Sequence, residues 1–189
     1  MVNQNDSVRI DNEIVSDQTI KIYIVLNKPD GFMSDMKDTK GRKLARDLIK
    51  FDMKLFPVGR LDYHSEGLII FTNDGELANY ITHPRFGVEK EYLVKFKGMP
   101  SRDFAKKMKS GVSIGADTYQ ADDIRFVRAS QNNAWYKVIV NEGKNRMIRK
   151  MGEALGHPVL KLKRIRIGKL LLGDLKAGDY RHVEKNEII

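Results

Sequence analysis

Gly59-Arg60-Leu61-Asp62-Tyr63-His64-Ser65-Glu66-Gly67-Leu68-Ile69-Ile70-Phe71-Thr72-Asn73-Asp74-Gly75 joins a polar loop, bounded by glycines, to the most hydrophobic run of the chain. The run from Leu68 to Phe71 is short and continuous, which suits a strand buried on both faces. Asn73-Asp74-Gly75 then reads as a turn, and Asn73 or Asp74 is placed to cap a helix around Glu76–Ile81. The loop carboxylate Asp62 is therefore anchored by a rigid element and presented at its edge. Spacing alone leaves two readings of Asp62 open: a reactive carboxylate, or a partner of Arg60 that ties down a turn.

Working outward, Ile20, Ile22 and Ile24 alternate as in a strand. That strand ends at Asn27-Lys28-Pro29-Asp30-Gly31, where proline fixes φ and glycine permits a turn. Leu44, Leu48 and Phe51 are spaced as one helical face, and Lys54–Val58 reads as a short strand. Downstream, Tyr92, Val94 and Phe96 alternate against Glu91, Leu93 and Lys95, as in a half-buried strand. Ser101 is placed to cap a helix through Lys109. Strands are expected over Tyr119–Val127 and Ala134–Val140. A helix is expected from Asn145 to Leu155, stopped by Gly156 and Pro158. The basic strand Val159–Ile167 follows, then short strands near Leu170–Leu172 and Tyr180–Val183. Strands and helices mix without strict alternation, which predicts an α+β fold with a mixed, largely antiparallel sheet. Residues 1–19 are polar and read as a tail or linker, with residues 20–189 forming one domain, in two lobes.

The chain has 189 residues, a net charge of +9 and no cysteine. Disulfides and thiolate metal sites are thereby excluded. No apolar run approaches the ~20 residues that span a bilayer, and the first residues lack a signal-peptide pattern. A soluble, cytoplasmic monomer is the expectation. The charge is concentrated: residues 141–169 hold nine basic side chains and two acidic ones, which is +7 of the +9. Such a segment neutralises phosphates, so a nucleic acid is the expected partner. Charge does not separate RNA from DNA. The four histidines are scattered without metal-ligand spacing, and there is neither a Walker-type loop nor a Gly-x-Ser-x-Gly elbow. Asp62 and Glu66 could pair as in a glycosidase, but nearness in sequence does not fix their separation.

Four stretches, in order, resemble the motifs of pseudouridine synthases, and specifically the RsuA-like branch that modifies ribosomal RNA. They are Asn27-Lys28-Pro29-Asp30-Gly31, the Gly59–Gly75 stretch, Lys90-Glu91-Tyr92, and Glu142-Gly143-Lys144-Asn145-Arg146-Met147-Ile148-Arg149-Lys150-Met151. The resemblance covers roughly Ile20 to Val183. It implies the pseudouridine synthase fold, with the active-site cleft between two lobes flanked by helices. It also implies roles: Asp62 as catalytic aspartate, Arg60 displacing and holding the target nucleotide, Tyr92 packing on uracil, and Arg149 pairing with Asp62 to keep it ionised. Ile148 would wall the pocket. Lys28, Lys144, Asn145, Arg146, Lys150, Lys163, Arg164 and Arg166 join the expected RNA-binding set, although the basic strand bears its charges on both faces. No cofactor is expected, since the reaction transfers no group to a second molecule and has no redox step. The implied partner is ribosomal RNA of either subunit, or a ribosome-assembly intermediate. Met147 departs from the pattern, standing where the family commonly has glutamine. Val8–Val15 resembles the tail end of an S4 RNA-binding domain. Rival readings are a non-catalytic RNA-binding or ribosome-assembly factor, and a nucleoside or glycoside hydrolase that would release free base.

Overall fold

The computed structural model describes residues 9–10, 13–14 and 20–189. Strands β1 (Arg9–Ile10) and β2 (Glu13–Ile14) pair antiparallel. The rest of the expected tail, with half of the segment likened to an S4 domain, lies outside the described residues. Then come β3 (Tyr23–Lys28), β4 (Phe56–Val58), β5 (Glu66–Thr72), β6 (Lys90–Lys97), β7 (Val112–Ile114), β8 (Asp117–Tyr119), β9 (Asp123–Ser130), β10 (Asn133–Val140), β11 (Val159–Ile167), β12 (Leu170–Leu171) and β13 (Tyr180–His182). Helices α1 (Gly75–Thr82), α2 (Arg102–Ser110), α3 (Met147–Ala154) and α4 (Lys185–Ile188) complete the chain.

One sheet of nine strands runs in the order β13-β3-β5-β11-β6-β10-β9, with β4 also on β5 and β12 on β11; β7 and β8 form a separate hairpin. Every pairing in the large sheet is antiparallel except one. β5 and β11 run parallel, joined through Lys163↔Glu66 and Arg164↔Gly67 alone. This short seam divides the sheet into two halves. At the seam a Cβ on Gly67 would stand 2.2 Å from the Arg164 carbonyl oxygen, and Gly67 has φ +103°. Only glycine lets the two backbones approach this closely.

The halves are packed differently. β3 and β5 are covered on both faces, by Leu68 and Ile70 with α1 and the C-terminal residues on one, and by Ile69 and Phe71 with Leu55 and Leu61 on the other. That double burial explains why β5 is continuously apolar. The second half, β11-β6-β10-β9, buries one face under α2, α3 and the β7–β8 hairpin. Glycine again permits contact there: a Cβ on Gly152 of α3 would lie 2.8 Å from the Phe96 ring.

The expected α+β fold with a largely antiparallel sheet in two lobes is what forms. Asp74 is the cap of α1, accepting from the Glu76 and Leu77 amides. Two expectations are corrected. The helical face at Leu44, Leu48 and Phe51 shrinks to one 3-10 turn, Ala45–Leu48, because Met33 binds both the Lys43 carbonyl and the Ala45 amide. The strand expected over Tyr119–Val127 breaks into β8 and β9, because the Ala121 and Asp122 amides bond to Met108 and Ile139 instead. Among the described residues no helix is long and apolar enough to cross a membrane.

Candidate active site

A cavity of about 620 Å³ opens beside the seam. Its walls are the Gly59–Ser65 loop, one face of β6, β10 and β11, and the approach to α3. Strand register fixes what that face presents. Tyr92 lies opposite Arg164 on β11 and Val138 on β10, while Lys90 lies opposite Ile167 and Val140. Residues directly opposite in an antiparallel pair share a face, as do i and i+2 along one strand. Tyr92 therefore continues the buried stripe of Val94 and Phe96, but it ends half-buried, at the cavity.

Asp62 sits in the loop that leads into β5, with its side chain 29% exposed. Two guanidinium groups face it: Arg146 Nη1 and Arg149 Nε each stand 3.6 Å from Oδ2. Neither distance is that of a tight hydrogen bond, so the carboxylate is flanked by positive charge yet keeps free lone pairs. Arg149 is the better fixed of the two. It donates from Nη2 to the His64 carbonyl at 2.7 Å and to Ser65 Oγ at 3.2 Å, and from Nη1 to the Val159 carbonyl at 3.4 Å. Burial pulls its pKa down from the ordinary arginine value, and the charge of Asp62 opposes that shift. Arg149 does not itself line the cavity; it braces the loop from α3. Arg146 precedes α3 with φ +55°, an uncommon backbone state for a side-chain-bearing residue.

Arg60 lines the cavity mouth and is highly exposed; it pairs with Asp35 at 3.2 Å and not with Asp62. The turn-forming Arg60–Asp62 pair is thus absent. Lys144, Asn145, Arg146, Met147 and Ile148 all line the cavity. Met147 and Ile148 are buried there and Lys144 pairs with Glu142.

Four of the residues expected to touch RNA lie elsewhere. Lys28 is fully buried, with Nζ donating to the carbonyls of Pro29, Phe32 and Tyr63; burial lowers its pKa to about 8. It ties the early turn to the Asp62 loop and cannot reach a polymer. Lys150 donates to the Tyr119 hydroxyl at 2.9 Å. A bulge between Arg164 and Arg166 shifts the register, placing Arg166 opposite Glu91, where it pairs with Glu91 and Glu89. Lys163 lies opposite Leu93, on the sheet face away from the cavity. Arg164 does face the cavity. Lys90 faces it too and was not among the expected site residues, though its period-two spacing from Tyr92 was a usable signal. Among the described residues no group of three or more potential ligands is placed to hold a metal.

Residues 22–154 match the family model described as RNA pseudouridylate synthase. An "Uncharacterized RNA pseudouridine synthase" of Aquifex aeolicus is 40% identical over 185 residues, spanning 97% of this chain and 74% of that protein. Ribosomal large subunit pseudouridine synthase B of Bacillus subtilis is 34% identical over 190 residues, 99% of this chain and 78% of that one. A crystal structure of a pseudouridylate synthase superposes with a TM-score of 0.79 at 25% identity, covering all of this chain and 81% of its own. Matches of this extent, in sequence and in fold, mean that the chain belongs to the RNA pseudouridylate synthase family and is an isomerase that converts uridine in RNA to pseudouridine.

Proposed function

We propose that the chain modifies a uridine of ribosomal RNA, with Asp62 as the catalytic carboxylate. The observation that carries this reading is the setting of Asp62: partly exposed in the cavity, with two guanidinium groups at 3.6 Å. The reaction breaks the bond between ribose C1′ and uracil N1 and joins C1′ to C5 of the same uracil. The sugar becomes electron-poor as the bond breaks, and an ionised carboxylate serves by attacking it or by taking a sugar proton. Tyr92, half-buried at the cavity, offers a ring face on which the detached uracil stacks. A uridine within folded RNA must leave its helix, and exposed Arg60 at the mouth is free to occupy the vacated space. Arg149 acts through Asp62 and is a positioning residue. No step of this chemistry calls for a cofactor.

The ribosomal assignment draws on the name of the Bacillus subtilis relative and on the basic segment beside the cavity. The test is Asp62→Asn, with ribosomal RNA from cells lacking the gene as substrate. The variant should lose pseudouridine formation by roughly 10³-fold or more while its RNA affinity stays within a few-fold. Retained activity refutes the role of Asp62. Identical pseudouridine maps of ribosomal RNA, with and without the gene, refute the substrate.

A further inference from the structure

The cavity holds two cations that water scarcely reaches. Lys90 is 8% exposed and Arg164 4%. Both line the cavity, on the sheet face that carries Tyr92. Arg164 spends Nε on the Leu68 carbonyl at 2.7 Å, but its enclosed Nη2 finds no partner among the described residues. Lys90 makes one contact, at 3.3 Å, to the Asn141 carbonyl. Burial, and then the charge of Arg164, lower the Lys90 pKa to about 8, as befits two cations facing one space. Buried charge without a counter-ion is destabilising. Two such groups side by side, with a donor left over, call for an electron-rich ligand.

Depth decides which part of an RNA could answer them. The target nucleotide is in mid-chain, so its two phosphates must stay with the strand that leads in and out of the site. The exposed cations at the mouth, Lys144 and Arg146, are placed for those phosphates. Only the base end of a flipped nucleotide can reach the floor. Uracil bears carbonyl oxygens and no other strong acceptor there. We propose that Lys90 and Arg164 bind the carbonyl edge of the target uracil and hold its negative charge when the glycosidic bond breaks.

This inference rests on the cavity being the uridine site. The electron pair of the C1′–N1 bond stays with uracil as the bond breaks. The resulting anion spreads its charge over N1, O2, C5 and O4. C5 then gives an electron pair to C1′, which leaves a neutral ring with an N1=C6 double bond; loss of the C5 proton and gain of a proton at N1 restore the conjugated uracil of pseudouridine. Fixed cations at the carbonyl oxygens lower the first barrier because charge develops there only in the transition state. Stacked on Tyr92, the anion can turn while those contacts keep it from escaping.

The test compares Lys90→Met and Arg164→Gln with the native protein in single-turnover reactions on two RNAs. One carries uridine and the other 5-fluorouridine, whose base accommodates negative charge more easily; loss of the original nucleoside is followed. Circular dichroism and RNA affinity are measured alongside. Lys90→Met should slow the uridine reaction by about 10²-fold with RNA affinity within threefold, and the penalty should shrink markedly on 5-fluorouridine. Arg164→Gln keeps a donor for Leu68 and should follow the same pattern. Equal penalties on both RNAs would overturn the proposal, as would native rates in a folded Lys90→Met. A loss confined to affinity, with a reduced salt slope, would also overturn it by assigning the pair to a phosphate. A native protein that leaves both RNAs unchanged would instead refute the parent reading, and this one with it.

Discussion

Gly67→Ala is the perturbation that most directly tests how the seam positions the site. An alanine at φ +103° is strained by roughly 1–2 kcal/mol. Its Cβ would also stand 2.2 Å from the Arg164 carbonyl oxygen and 2.7 Å from the Arg164 nitrogen, both backbone atoms that cannot swing aside. β5 and β11 must part by roughly 1 Å to reach ordinary van der Waals separation. The seam has two residue pairs, so there is little ladder to absorb the shift, and each hydrogen bond lost costs about 1 kcal/mol. The sum is about 3 kcal/mol, a large share of the ~5–15 kcal/mol of a typical domain. The same displacement moves Arg164 relative to the Asp62 loop. A misplacement near 1 Å costs on the order of 10²-fold in rate. Urea denaturation gives the stability change, and single-turnover pseudouridine formation, measured well below the denaturation midpoint, gives the rate. Gly75→Ala is the control: nothing lies within 4 Å of its Cβ, and it opens α1 with ordinary φ. That variant should be neutral or more stable by up to ~1 kcal/mol. A Gly67→Ala protein within ~1 kcal/mol of native, at native rate, would refute the close-approach account.

The other predictions are shorter. Asp74→Ala removes the cap of α1 and the 2.8 Å bond from the Tyr23 hydroxyl, and should cost ~2–3 kcal/mol by urea denaturation. Burial pushes the Asp74 carboxyl up, but the Leu77 amide, the Tyr23 hydroxyl and Lys185 outweigh it, so the folded pKa is lowered. The contribution of Asp74 is therefore fully present above the ordinary carboxylate pKa near ~4 and fades as pH falls below it. Denaturation midpoints at descending pH should show the variant losing that part of the acid slope. Arg149→Lys keeps the charge but cannot reach His64, Ser65 and Val159 together. Its rate should fall about 10²-fold with RNA affinity nearly unchanged, and a rate within threefold of native would show that Asp62 needs only charge, not positioning.

One part of the candidate site, the Gly59–Ser65 loop, was legible because it is continuous in sequence and chemically unusual. A polar loop running into a doubly buried strand marks Asp62, and the period-two stripe through Tyr92, Val94 and Phe96 lies where alternation puts it. Lys28 and Arg166, both expected among the RNA contacts, are instead held by protein groups, for a shared reason. Composition shows a cation but not what encloses it. Lys28 disappears beneath the Asp62 loop among three carbonyls, and a bulge swings Arg166 to two glutamates. A bulge breaks the parity on which strand readings depend, and its position is set by the neighbouring strand.

The sequence by itself determined the α+β class, the strand–turn–helix that follows Asp62, a helix cap at Asn73 or Asp74, and the positive character of the chain. These follow from local backbone preferences and periodicity, which need no distant partner. Tertiary structure alone decided that β5 and β11 meet in parallel at Gly67. It also decided that Arg146 joins Arg149 beside Asp62, 84 and 87 positions along the chain, and that Lys90 and Arg164 line the same cavity. Those juxtapositions depend on which strands pair and in what register, because the energy that selects them comes from burial between segments far apart in the chain.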